Sequence, residues 1–212
     1  SMGTQMRLLV DANAVGEQRV FALEALASDP LFVALAGGTV PSLDTVYRDL
    51  ARMGEFENAT LELIVAQHGL RTLSEQRSER VHCDIDTTVE PLFGTQEGAR
   101  LGHNPRYHGR PSYHPILAVV AETGACIGAR LRPGDTGLGA EDAALIQAYV
   151  SRVVAHVPQD TGVVVRIDSG ADCTDILSVV DDVPGSIFVV KARLTPDLAG
   201  KVMVTQDWTT VD

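Results

Sequence analysis

An α/β fold is what this sequence predicts: a mixed sheet flanked by helices, preceded by a small all-helical region. Three observations predict it. Short β-rich runs recur at 81–89, 115–121, 125–131, 163–168 and 186–192. Helical runs at 141–156 and 173–182 separate the later ones, and strands alternating with helices imply parallel pairing through crossovers. Residues 6–78 carry helical patterning instead.

Taken in order, residues 1–5 read as a tag remnant without structure, 6–78 as a helical region and 79–212 as the α/β region. Asp29-Pro30 opens a short apolar helix, Leu31 to Ala36, that Gly37-Gly38 stops, as glycine does at helix C-termini. Ser42 is the expected N-cap of the next helix, with Leu43, Val46, Tyr47 and Leu50 on one face. Helix, glycine turn and helix are compatible with a DNA-reading helix-turn-helix. A further helix is expected over 56–67, ended by Gly69, and 74–80 reads as a charged linker. Glu122-Thr123-Gly124 separates two β-rich runs as a hairpin turn. The expected sheet is therefore an antiparallel hairpin continued by parallel strands.

The chain has 212 residues, 45% hydrophobic and 21% charged, ordinary proportions for a globular protein. No apolar run reaches the roughly 18 residues needed to span a bilayer. Cys83, Cys126 and Cys173 are widely spaced and form no Cys-x-x-Cys pair, so neither a zinc site nor a disulfide framework is suggested and a reducing cytoplasm is expected. A net charge of −11 argues against a surface that is basic throughout.

Two acidic segments and the stretch between them carry the functional signal. Val81-His82-Cys83-Asp84-Ile85-Asp86-Thr87-Thr88 and Val163-Val164-Val165-Arg166-Ile167-Asp168-Ser169-Gly170 each read as a strand delivering a carboxylate near its C-terminal end. Carboxylates at the ends of adjacent strands suit Mg²⁺ or Mn²⁺, which want oxygen ligands, although aspartate also serves as an ordinary turn residue there. Residues 92–114 form a long stretch without periodicity, and four of the six histidines lie within 82–114. From 92 to 132 the local charge is +3, against −11 overall. Arg100, Arg106, Arg110 and Arg132, with Tyr107 and Tyr113, suit a phosphate backbone and unstacked bases. The histidine spacings match no zinc pattern.

An ordered set of motifs goes further. Asp84-Ile85-Asp86-Thr87-Thr88-Val89 is followed by Gly102-His103-Asn104-Pro105 and by Gly109 to Pro115. Leu131 to Thr136, Arg166 to Gly170 and Val190 to Leu194 come next. The set resembles bacterial insertion-sequence transposases of the DDE type, whose catalytic domain is ribonuclease-H-like. The resemblance implies DNA transposition with two divalent metals, Mg²⁺ or Mn²⁺. It makes Asp86 the first metal-holding catalytic carboxylate and Asp168 the second. Asp84, two residues before Asp86 and on the same strand face, reads as a supporting residue, with metal ligation as its alternative. Arg100, Arg106, Arg110, Tyr107, Arg132 and Lys191 are the expected DNA contacts. Lys191 and Arg193 could equally be surface charge closing a strand. Transposon-end DNA is the expected partner and a homodimer the expected assembly.

That family's third carboxylate is a glutamate on a late helix, preceded by a tyrosine and an arginine. No such helix is read after residue 192, and 202–208 reads as the start of a β-rich insertion. The expectation is a C-terminally shortened chain that lacks activity on its own. Two other readings compete. Asp84-x-Asp86-x-Thr88 fits the first motif of a haloacid-dehalogenase-type phosphatase, with Asp84 as nucleophile, but Asp181-Asp182 precede Lys191, the reverse of that class's order. The other is a non-enzymatic module that binds DNA or a partner through 6–78.

Overall fold

The computed structural model describes residues 2–73, 78–102, 104, 107–168, 170, 172–192 and 194–207. It divides the chain into two compact units, Ser1–Thr60 and Leu61–Asp212.

The first unit is helical. Helix α1 (Met2–Ala14) begins within the stretch expected to lack structure, and Gln5 donates to Asp49 at 3.2 Å. It is followed by α2 (Leu23–Leu26), α3 (Pro30–Leu35) and α4 (Leu43–Leu50). Leu8, Ala12, Leu23, Phe32 and Val46 are its buried core. Asp29 caps α3 by accepting from the Leu31 amide at 2.8 Å, and Pro30 stands at the first helical position, where its missing N–H costs nothing. Gly37 and Gly38 both have φ of 93°, a conformation that favours glycine. On α4, Val46 is buried, whereas Tyr47 of the expected apolar face is exposed. Residues 36–42 separate α3 from α4, a longer connection than the three or four residues usual in a helix-turn-helix.

Helix α5 (Glu55–Leu70) runs past the unit boundary. Ala66, Leu70 and Leu73 belong to the core of the second unit. Gly69 lies inside this helix rather than ending it. A Cβ there would stand 2.9 Å from Ala125 Cβ, so the glycine lets helix and sheet approach.

The second unit is built on five strands: β1 (Arg80–Thr87), β5 (Ile116–Val120), β6 (Ala125–Arg130), β7 (Gly162–Ile167) and β8 (Ser186–Val190). Their spatial order is β6-β5-β1-β7-β8. The pairs β6-β5 and β5-β1 are antiparallel, while β1-β7 and β7-β8 are parallel. Numbered along the chain the order is 3-2-1-4-5, and the mixed sheet matches the hairpin-plus-parallel expectation. Helices α6 (Ala143–Val154) and α7 (Thr174–Asp181) supply Ile146, Tyr149, Val150, Val153, Ile176 and Val180 to a core shared with Val81, Cys83 and Ile85 of β1. Leu117, Ile187 and Val189 are exposed.

Residues 90–113 hold a small second sheet where only an aperiodic loop was expected. Strand β4 (Pro111–Tyr113) lies between β2 (Glu90–Pro91) and β3 (Arg100–Leu101). Strands of two or three residues are too short to show alternation. Close contact with 131–136 completes this part: a Cβ on Gly102 would overlap the Gly134 carbonyl, and one on Gly134 would overlap Ser112. A helix does follow residue 192: α8 (Pro196–Val204), capped by Thr195, which accepts from the Leu198 amide at 3.2 Å. Residues 202–204 are therefore helical, not the start of a β-rich insertion, and Trp208 lies outside the described residues. The only carboxylate of α8 is Asp197, paired with Lys201 at 2.8 Å.

Candidate metal and nucleic-acid site

The parallel register of β1 and β7 pairs Asp84 with Arg166 and Ile85 with Ile167. Asp86 and Asp168 each come one residue later, so they leave neighbouring strands at the same level. Adjacent strands lie about 4.8 Å apart. Ile85 and Ile167 are buried towards the helices, whereas Asp86 and Asp168 are exposed, and strand alternation puts both carboxylates on the opposite face. The strand β8 extends the line. Val190 pairs with Ile167, so Lys191, exposed and one residue later, comes level with Asp168.

Local backbone holds each carboxylate. Asp86 Oδ1 accepts from the Thr87 amide at 2.7 Å, and Asp168 Oδ1 accepts from the Gly170 amide at 2.8 Å. Two hard oxygen donors at one end of a sheet fit a divalent cation such as Mg²⁺ or Mn²⁺. Among the described residues no group of three or more His, Cys, Asp or Glu is arranged to hold a metal.

Asp84 is differently placed. Arg166 grips it with both ends of the guanidinium, Nε to Oδ1 at 2.6 Å and Nη2 to Oδ2 at 2.7 Å. These hydrogen bonds raise the affinity of Arg166 for its proton. Both Asp84 oxygens are thereby engaged by Arg166. Two residues earlier on the same face, His82 meets Glu122, Nδ1 to Oε1 at 2.6 Å, and the His82 amide also donates to Glu122 at 3.0 Å. On the helix side Cys83 is buried. Desolvation, aided by the charges of Asp84 and Glu122, pushes its thiol up to about 12, so it is no nucleophile.

The expected DNA-contact residues separate into groups. Arg100 on β3 is exposed. Arg110 lies over the Phe93 ring at 4.4 Å and near the Tyr107 ring at 5.9 Å. Phe93 is 73% exposed; sequence reading missed it, although an aromatic in a glycine-rich basic stretch was the available signal. A cleft of about 480 Å³ is lined by Thr87, Val89, Pro91, Asn104 and Tyr107 among others. Arg132 is placed differently from Arg100 and Arg110. It is buried, with Nη1 on Asp142 at 2.6 Å and on the Gly137 carbonyl at 3.0 Å, and Nε on the His114 carbonyl at 3.1 Å. Its guanidinium is turned into the fold and paired with Asp142. Arg106 and Arg193 lie outside the described residues. The first 60 residues carry four arginines against eight carboxylates, so the helical unit offers no excess of positive charge.

Comparison with known proteins gives one family. The family model described as transposase DDE domain group 1 matches residues 2–210. No protein of curated function matches. Among solved structures, the piggyBac transposase synaptic complex with hairpin DNA is similar at a TM-score of 0.48 and 11% identity, covering 98% of this chain and 44% of that one. The Mos1 mariner paired-end complex with Mn is similar at a TM-score of 0.36 and 10% identity, covering 84% of this chain and 60% of that one. The chain thus spans less than half the length of the piggyBac protein.

Proposed function

The chain belongs to the transposase DDE domain group 1 family, and on that premise we propose that its α/β unit is the phosphodiester-cleaving and -joining part of a DNA transposase, with Asp86 and Asp168 as two of its cation-holding carboxylates. One observation carries the assignment of residues: the two aspartates leave adjacent parallel strands at one level. A divalent cation bound there, Mg²⁺ or Mn²⁺, would polarise a phosphodiester oxygen as a Lewis acid. The chain's own groups do the rest. The Thr87 and Gly170 amides fix one oxygen of each carboxylate, leaving the other to face the incoming ion.

Lys191, level with Asp168 at the end of the next strand, is placed to hold a phosphate flanking the reacting one. Arg100 and Arg110 extend that positive charge across the small sheet. Arg110 stacked on Phe93, with Tyr107 beside the cleft, suits a strand whose bases are partly unstacked. The DNA partner proposed for the whole protein is the transposon end. The haloacid-dehalogenase-type alternative is not favoured, because Arg166 occupies both oxygens of the required nucleophile.

The test is metal-dependent stability. Millimolar Mn²⁺ is expected to raise the melting temperature of the chain by a few degrees, about 3 °C, since a ligand stabilises the state it binds. Asp86→Asn and Asp168→Asn are each expected to abolish the rise. An equal rise in all three proteins would refute the assignment.

A further inference from the structure

The Asp84–Arg166 pair is not accounted for by the reading above, yet its position is informative. Both residues precede the proposed cation-holding carboxylates by two positions, on the same two strands and the same face. A two-residue step along a strand is about 7 Å. The two are partners in the strand register as well as through the two-pronged hydrogen bond. Their side chains are 40% and 47% exposed, so burial does not require the pair for folding. The other carboxylate whose field reaches Arg166 is Glu122, and His82 holds that one at 2.6 Å.

Without Arg166, β1 would present two carboxylates, Asp84 and Asp86, in succession on one face beside Asp168. Without Asp84, a guanidinium charge would stand unpaired beside the same site. We propose that Asp84 and Arg166 form a charge-neutral pair that sets the cation affinity of Asp86 and Asp168: Arg166 withholds Asp84 from the ion, and Asp84 cancels Arg166. Both are positioning residues, and the inference rests on the metal reading of Asp86 and Asp168.

A thermodynamic cycle tests it, with Mn²⁺ binding to the full chain measured by calorimetry. Arg166→Gln frees a negative charge and is expected to tighten Mn²⁺ about fivefold, whereas Asp84→Asn frees a positive one and is expected to weaken it about fivefold, for charges some 7 Å from the ion in a screened, half-exposed setting. The double variant Asp84→Asn with Arg166→Gln is expected within about twofold of wild type, as is Arg166→Lys, which keeps the charge but loses the fork. Melting temperatures in EDTA verify that each variant is folded, and Arg166→Lys with the double variant keep the test decisive should a single variant unfold. Opposite signs for the two single variants support the proposal. Weakening by both, or no change in either, overturns it while leaving the metal site standing. If wild-type binding is absent, or survives Asp86→Asn and Asp168→Asn, the metal reading falls and takes the role of this pair with it.

Discussion

Glu122 shows how a single residue couples sheet geometry to pH. Burial alone would push its carboxyl up, but the His82 side chain, the backbone amides and the His82 charge outweigh this and hold it below its ordinary 4.5. A depressed carboxylate contributes stability that is present above the unfolded-state value and is lost as pH falls through the folded one. Glu122→Gln is therefore expected to be less stable than wild type at pH 7, with the gap closing below about pH 4.5. Urea denaturation at pH 7 and pH 3 checks this; a gap that stays constant across that interval would remove Glu122 as its source. The same scale separates two arginines that look alike in sequence. Arg110 lies on aromatic rings at the surface, while Arg132 is locked to Asp142. Nothing in a local window distinguishes them, because the partner that buries Arg132 lies ten residues on, at the start of a helical segment.

Among the elements, β1 and β6 do the most. In β1, strict alternation sends Val81, Cys83 and Ile85 to the core and His82, Asp84 and Asp86 to the other face, which is why one strand can anchor the fold and carry the proposed site. In β6, Gly128 lies against the Tyr149 ring of α6, where an added Cβ would stand 2.2 Å from a ring carbon. Gly128→Ala is expected to destabilise the protein by about 2 kcal/mol through overpacking, measured by chemical denaturation. Tyr149 itself is fully buried, and its hydroxyl has no hydrogen-bond partner among the described residues. Tyr149→Phe is accordingly expected to leave stability unchanged or raise it by up to about 1 kcal/mol, since it removes a desolvated polar group. A loss larger than that would mean the hydroxyl is partnered in solution.

For the whole molecule, the question is where an acidic chain would meet the proposed DNA. The overall charge is −11, yet the 92–132 segment carries +3; of its exposed arginines, Arg100 lies on the small sheet, Arg110 just before β4 and Arg130 at the end of β6. DNA affinity of this chain is expected to be weak and to fall steeply with salt. Arg110→Ser is expected to lower that affinity, measured by fluorescence anisotropy, without changing the melting temperature. Arg132→Met is expected to cost about 3 kcal/mol of stability by leaving Asp142 buried and unpaired. Exchanged outcomes would reverse the two assignments. Among the described residues, no helix is long and apolar enough to cross a membrane.

The sequence by itself determined the order of the five main strands and the two helices between them, the mixed hairpin-plus-parallel sheet and the two aspartates worth following. Each of these rests on local signals: alternation, glycine turns and the acidic ends of apolar runs. Only the tertiary structure decided which carboxylates share a level, that Arg166 takes Asp84, that Lys191 aligns with Asp168 and that Arg132 turns inward. These are pairings between residues 10 to 82 positions apart. Strand register and long-range ion pairs depend on how separate segments meet in space, and that information is not carried by any single stretch of the chain.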